Sequence, residues 1–374
     1  MLAFIPKTTA KCSKNNASEG LICGVQYCLF FDNIAALVTK PISVFLKNLP
    51  CHCLLPFKTL MDVMESSSCQ LLSDSYPNVS EVENLRWTNL VNLMLNNILS
   101  YTAIMLNVVT IHALRKTSSL PNTLKTLLLN LAVTDVGVGL IAQPSYTSLL
   151  VKWLQNSDDC NFRGAFVMIS STFCLASFLG VVAVSVDRFL AICLHLRYQE
   201  LVTHKRVVAV VISIWLLSVI FPLAVSLFLP DMYSLLTFVL GKFGLLLATL
   251  VYISIYLTAR RHKNQIQALQ VQNTGEFQGT ISFARLIKSA VGIFYVYLVF
   301  LLCYVPFLIC LVATEINGPS IPLKSWFIFS LTLIFLSSSL NPVIYCWKLR
   351  HIRHAIMDIL RNMPCLRNRA SESS

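Results

Sequence analysis

The 374-residue chain is 56% hydrophobic and only 12% charged, with a mean hydropathy of +0.68 and a formal net charge of +12. A soluble globular domain carries about 25% charged residues, so this chain cannot cover a water-facing surface, and composition leaves the membrane as its solvent. In a soluble protein so basic a balance would suggest nucleic acid; here the placement of the charges points to a membrane surface instead, with no nucleic-acid partner.

Residues 1–86 form an N-terminal segment that differs from the rest. Cys12, Cys23, Cys28, Cys51, Cys53 and Cys69 fall in it without a repeat, and Cys51-His52-Cys53 is too tight for a zinc pair. Leu21–Phe31 is apolar but short for a span; it starts late for a signal peptide and lacks a small-residue cleavage pattern. Met61 offers a later start, so residues 1–60 are read as an artefact of the gene start, against a Cys-rich extracellular structure or a disordered segment. Asn78-Val79-Ser80 fits the N-glycosylation acceptor pattern, as Asn16-Ala17-Ser18 does if that segment exists.

About 20 apolar residues cross a hydrocarbon layer of roughly 30 Å. Seven stretches qualify: Trp87–Ala113, Thr126–Val151, Gly164–Val186 (running on towards His195), Val207–Pro230, Met232–Ala259, Ser289–Thr314 and Ser325–Trp347. Five hold no Asp, Glu, Lys or Arg; the second holds only Asp135 and the fifth only Lys242. Backbone groups in lipid must be satisfied within the segment, so these are helices. The fold class is an all-α membrane protein, a seven-transmembrane helix bundle over 87–347 with a cytoplasmic tail at 348–374. In that tail, Lys348–Met363 sets basic residues against Ile352, Ala355, Ile356, Ile359 and Leu360, the pattern of an eighth, amphipathic helix in the membrane interface. Cys365 follows it as either a palmitoylation acceptor or a reduced thiol.

Lys and Arg set the orientation. The connections after the first, third and fifth spans and the tail are rich in them, whereas the other loops hold only Lys152, Arg163 and Lys324. This predicts an extracellular N-terminus and a cytoplasmic C-terminus in a multi-pass plasma-membrane protein.

Polar residues inside spans are functional-site candidates by default. Asp135 lies in LNLAVTDVGVG, and Asn107, Ser177, Ser337, Ser338 and Asn341 stand where they can converge on it. One carboxylate among hydroxyl and amide oxygens suits a structural sodium ion; a polar network joining helices is the alternative. Asp187 and Arg188 end a long uncharged run in AVSVDRFLAIC. SLNPVIYCW places Pro342 near the end of the seventh span and CYVP places Pro306 mid-way along the sixth, each freeing carbonyls one turn earlier.

Asn107, LAVTD ending at Asp135, DRF at 187–189, Trp215, Phe300 with CYVP, and NPVIY at 341–345 occur in this order on successive helices. Together they resemble the rhodopsin-like (class A) G-protein-coupled receptors over Asn89 to Cys365. The resemblance implies ligand-controlled nucleotide exchange on a heterotrimeric G protein, with arrestin as a further partner and no enzymatic activity. It assigns coupling and the activation switch to Asp187, Arg188, Tyr252, Phe300, Tyr304, Pro306, Asn341, Pro342 and Tyr345. Asp187 holds Arg188 inward, and Tyr252 and Tyr345 receive it once released.

Departures from the family fall at the other end. Arg163 stands where a disulfide cysteine is usual, leaving Cys160 to pair with Cys69 or Cys310 or to remain free. Gly244 replaces the usual Pro of the fifth helix, and the loop before that helix is very short, features similar to melanocortin receptors; HLRYQELVTHKR is similar to the second inner loop of adenosine and some amine receptors. The acidic cluster of melanocortin receptors is missing at Ser145, Arg163 and Val167. Ser170 replaces the amine counter-ion, Phe335 the retinal lysine, Leu311 the adenosine-type Asn, and Tyr304 the switch Trp. The expected pocket is Ser170, Ser171, Cys174, Leu236, Leu240, Tyr304, Phe307, Leu308, Leu311, Leu331 and Phe335, a surface for a small hydrophobic or lipid-borne ligand. A non-signalling or constitutively active receptor-like scaffold is the alternative. A transporter lacks its paired charges and repeats here, and no histidine lies where a membrane hydrolase would need one.

Overall fold

The computed structural model describes residues 73–117, 120–157, 160–193, 197–229, 232–270, 277–348 and 350–361. Residues 1–60 and Cys365, both subjects of expectations above, lie outside these. Seven helices long and apolar enough to cross a membrane lie among the described residues. They are α1 Arg86–Lys116, α2 Asn122–Leu154, α3 Cys160–Cys193, α4 His204–Phe228, α5 Tyr233–Gln270, α6 Phe277–Asn317 and α7 Ile321–Lys348. A short α8, Arg350–Arg361, follows. Several helices overrun their apolar stretches, α6 by more than two turns at its start, because extending an existing helix is far cheaper than nucleating one.

α3 is the axis of the bundle and packs against α2, α4, α5 and α6, while α7 fills the space between α1 and α6. α8 packs on α1 and α7, burying Ile352 and Ile356 one turn apart and exposing Arg353 and His354. This is the stripe and basic face that its sequence pattern requires. The outer surface is the reverse of a soluble protein's: Leu216, Leu217 and Ile220 of α4 are each more than half exposed, as a hydrocarbon-facing side must be.

The interior holds two apolar clusters, one near each end of the bundle. The first gathers Leu128, Val184, Tyr252, Val296, Phe300 and Tyr345; the second gathers Tyr76, Tyr146, Trp153, Phe166, Leu311, Phe327 and Phe335. α1 and α7 meet through a buried polar seam. Asn96 Nδ2 donates to Thr332 Oγ1 at 2.8 Å, and Thr332 donates to Asn92 Oδ1 at 2.5 Å.

α2 contains one π-helical turn, Val138–Ala142. Pro144 explains it, since the ring has no N–H and would collide with the carbonyl four residues earlier in a regular helix; a wider turn relieves both problems. α1 comes close at this turn. Ser100 Oγ donates to Gly139 O at 2.7 Å, and a Cβ on Gly139 would lie 2.8 Å from Ile104 Cγ1 and 3.1 Å from the Ser100 carbonyl. We therefore expect Gly139→Ala to lower stability by about 1–3 kcal/mol through overpacking. Gly180→Ala, whose methyl meets nothing nearer than 3.4 Å, should be tolerated. Thermal unfolding of the purified variants in detergent checks both.

Candidate functional site

Three groups of residues emerge along the bundle axis. The first is an apolar cavity of about 130 Å³ bounded by α3, α5, α6 and α7, with room for a chain segment or single ring rather than a folded peptide. Ser170, Ser171, Cys174, Leu240, Tyr304, Phe307, Leu308, Leu331 and Phe335 line it, as expected from the sequence. Leu236 and Leu311 do not. Both turn into the apolar cluster at this end of the bundle, because Tyr233, Thr237 and Leu240 already occupy the cavity-facing positions of α5, and Leu311 stands a turn above the cavity-lining Phe307 and Leu308.

Residues not read from the sequence complete the wall. Tyr233 hydrogen-bonds Ser171 at 2.5 Å, and Phe178 occupies the space beside Gly244, where a Cβ would lie 2.0 Å from its ring. A bulkier residue at Gly244 therefore requires the Phe178 ring to move. On the floor, Tyr304 stacks on Phe300 with ring centroids 3.8 Å apart.

Residues just before α1 pack over this end. Tyr76 is 1% exposed, lines the cavity, and packs against Trp153 and Phe327 at 5.6 and 5.1 Å between centroids. Burial, and then the neighbouring Tyr233, push its phenol well above the usual range. The Arg163 guanidinium lies 5.8 Å from the Tyr76 ring, giving this residue a role in place of the cysteine that resemblance would have put there. Lys324 Nζ donates to Glu81 Oε2 at 2.6 Å, fastening the segment to α7. Cys160 is disulfide-bonded, whereas Cys174, Cys303, Cys310 and Cys346 are free. Of the three alternatives for Cys160, Cys310 and a free thiol are thus excluded, and Cys69 lies outside the described residues. Asn78 is exposed, as a glycan acceptor must be. A tyrosine pinned between two aromatics from distant helices leaves no periodic signal, which is why sequence reading missed Tyr76.

The second group surrounds Asp135, which is fully buried. Asn341 Nδ2 donates to Oδ2 at 2.8 Å, Ser177 Oγ approaches Oδ1 at 3.4 Å, and Ser338 is buried on α7 three residues before Asn341. Asn107 Nδ2 donates to Ser338 O at 2.9 Å, so it braces the site from behind. Ser337 departs from expectation: its hydroxyl donates to Ile334 O of its own helix at 2.6 Å. Trp215 holds α4 to α2 through Asn130 Oδ1 at 2.9 Å.

The third group lies at the α8 end. Asp187 and Arg188 are 4% and 2% exposed. Arg188 Nε donates to Asp187 Oδ2 at 2.9 Å, and Nη2 donates to the same oxygen. The other carboxylate oxygen accepts from Tyr198 Oη at 2.6 Å, and Thr123 of α2 lies 3.1 Å from that phenol. Burial and the adjacent carboxylate push the Tyr198 phenol up to about 12, so it remains a donor at any ordinary pH. Tyr198 opens the helical turn Tyr198–Leu201 within the stretch HLRYQELVTHKR, whose sequence gave no hint that it caps Asp187. Tyr252 is engaged by Ser185 at 2.7 Å and Ile293 O at 3.3 Å; the buried Tyr345 hydroxyl has no partner among the described residues. Neither hydrogen-bonds Arg188. Pro306 and Pro342 lie inside α6 and α7, as expected.

These features define a membrane-embedded helical receptor, with an enclosed pocket near one end and a latched charge pair near the other. The family model of the seven-transmembrane receptors of the rhodopsin family matches residues 106–234 and 224–345. The chain belongs to that family. Adenosine receptor A2b of Gallus gallus is 25% identical over 312 residues, covering 73% of this chain and 89% of the relative. Melanocortin receptor 5 of Homo sapiens is 26% identical over 266 residues, covering 68% and 79%.

The Glu81–Lys324 latch carries a pH signature. Partial burial opposes ionisation of Glu81, but the Lys324 ammonium and the Asn78 N–H outweigh it and hold the carboxyl below its ordinary value of 4.5. Its contribution is complete above that ordinary value and is lost as pH falls through the lowered folded value. Glu81→Gln should destabilise the receptor by roughly 2 kcal/mol at neutral pH. Melting curves of the two proteins should converge only below about pH 4.5.

Proposed function

We propose that this protein is a G-protein-coupled receptor of the plasma membrane, with its N-terminus extracellular and its C-terminus cytoplasmic. A small hydrophobic ligand, reaching the cavity from outside or from the lipid, promotes nucleotide exchange on a heterotrimeric G protein. The observation that carries this reading is the latched Asp187–Arg188 pair, buried, bound by two nitrogens and capped by Tyr198. Two buried charges at a helix end need no such cap if they merely mark the membrane boundary. Releasing the cap frees Arg188 for a partner entering between the helices, where Tyr345 holds an unengaged hydroxyl to receive it.

The pocket supports a ligand unlike those for which the two relatives are named. Among the described residues no charged side chain lines it; Tyr76, Ser170, Ser171, Tyr233, Thr237 and Tyr304 supply its hydroxyls. Ligand contact with Tyr304 is passed to Phe300 through their stacked rings and so to the part of α6 below Pro306. Arrestin is a further partner of the same activated face.

Asp135 fits a monovalent cation. Its carboxylate and the hydroxyls of Ser177 and Ser338 supply oxygen donors with one formal charge, and Asn341 closes the set. Bound there, the ion would tie α2, α3 and α7 together and favour the latched state.

Agonist-independent activation of G proteins, read with a panel of subtype sensors in cells, tests the main proposal. Arg188→Ala should reduce it to background with surface expression retained, whereas Asp187→Asn and Tyr198→Phe should raise it several-fold. Equal signals in wild type and Arg188→Ala would leave a non-signalling scaffold as the better description. For the cation, sodium chloride should raise the melting temperature relative to choline chloride at equal ionic strength. At tenfold excess over Kd the gain is about 1.4 kcal/mol, and Asp135→Asn should abolish it.

A further inference from the structure

Lys242 is the one charge in the apolar window Leu235–Ser254 of α5. Seven residues into that window, its Cα lies about 10 Å below the window's start, well inside a hydrocarbon layer of roughly 30 Å. A lysine at such depth is costly unless its ammonium is paired or reaches polar surroundings. Among the described residues no carboxylate pairs with it. The side chain is exposed and runs outward, its Nζ 5.8 Å from the centroid of the Phe238 ring.

It does so in a groove. Phe238, Lys242 and Leu245 of α5 face Val305, Leu308, Ile309 and Val312 of α6, and Asn317 closes the end nearest the start of α5. Lys242 is the only charged side chain in that lining, so an otherwise hydrocarbon surface carries a single positive centre.

The groove and the internal cavity share a wall. Leu245 and Leu308 line both. Gly241, next to Lys242, lines the cavity, and Leu308 lies against it so closely that a Cβ there would be 2.9 Å from Leu308 Cδ2. The partition at this point is therefore one rotatable side chain resting on a residue without one. On the other side, Tyr76 and its aromatic neighbours cover the end of the cavity that would face water.

We infer that the α5–α6 groove is the entry and headgroup site for a single-chain, acid-headed amphiphile, a long-chain carboxylic acid. Its carboxylate pairs with Lys242 in the outer leaflet, and its chain passes Leu308 into the cavity. Charge complementarity selects the anion. The narrow partition of Leu245 and Leu308 selects one chain over the two of a bilayer phospholipid. This deepens the functional reading above and rests on it for orientation and for the cavity as the ligand site.

The test uses the full-length receptor in phosphatidylcholine nanodiscs with oleic acid carrying a diazirine near its chain end. Wild type should bind it in competition with unlabelled oleic acid and not with methyl oleate. Lys242→Gln should weaken apparent affinity at least tenfold, and Lys242→Arg should retain it. Cross-links should map to the α3 peptide containing Ser170, Ser171 and Cys174. Cross-links confined to the lipid-facing side of α5 and α6 would overturn passage into the cavity. Equal competition by methyl oleate, unchanged affinity in Lys242→Gln, or competition by phosphatidylglycerol as strong as by oleic acid would overturn the site. A ligand-free melting temperature matching wild type shows that each variant is folded. Arg188-dependent signalling without oleic-acid binding would sink this inference alone; binding without such signalling would sink the receptor reading and leave the site standing.

Discussion

Hydrocarbon supplies no hydrogen bonds, so a chain within it must satisfy its polar groups internally or carry them to the interface. Each backbone does this by becoming a helix, and the polar side chains are left to choose where helices meet. Asn92 and Asn96 find Thr332 across the α1–α7 seam, Asp135 finds Asn341, Trp215 finds Asn130, and Arg188 finds Asp187. Individual contacts of this kind contribute only about 0.6 kcal/mol on average in membranes. Their larger effect is on specificity, since the contacts between helices each fix one helix rotation against another, whereas Asp187 and Arg188 are neighbours on α3. The same constraint explains why Lys242, which has no such partner among the described residues, is informative.

The bundle is organised differently at its two ends. Near α8, a charge pair and a phenol are joined by ionic and hydrogen bonds, and a buried tyrosine hydroxyl completes the polar set. At the opposite end the interactions are aromatic and steric: Tyr76 between Trp153 and Phe327, Phe178 in the space beside Gly244, Leu308 on Gly241. Shape is easily altered by exchanging side chains, whereas the charge set must keep its chemistry to act at all. The departures from family pattern at Arg163, Ser170, Gly244 and Tyr304 all lie on the side governed by shape.

This difference also decided what could be read from the sequence. Span positions follow from long apolar stretches, and Asp135, Asp187 and Arg188 stand out because charge is rare there. Most of the cavity followed from positions matched to the receptor family. Leu236 and Leu311 failed because register alone cannot say which of several inward-facing turns meets a cavity and which meets a neighbouring side chain. Tyr76 and Tyr198 were illegible for another reason. Each sits in a short non-membrane segment whose partners are remote in sequence, and hydroxyl and ring contacts of that kind have no period. Ser337 illustrates a third limit, since a serine in a helix can always bond its own backbone instead of a site across from it.

The position of Pro306 within α6 has a mechanical meaning. The helix extends from Phe277 to Asn317. At 1.5 Å per residue, a pivot at Pro306 divides it into an arm of about 17 Å on the cavity side and one of about 44 Å on the side of Asp187 and Arg188. Such a lever multiplies displacement by about 2.6. A side-chain-sized adjustment of 1 Å beside Asn317 then sweeps the far tip through about 2.6 Å, enough to part packed helices. Force is reduced in the same ratio, so the far arm moves only where its packing against neighbouring helices is weakly held.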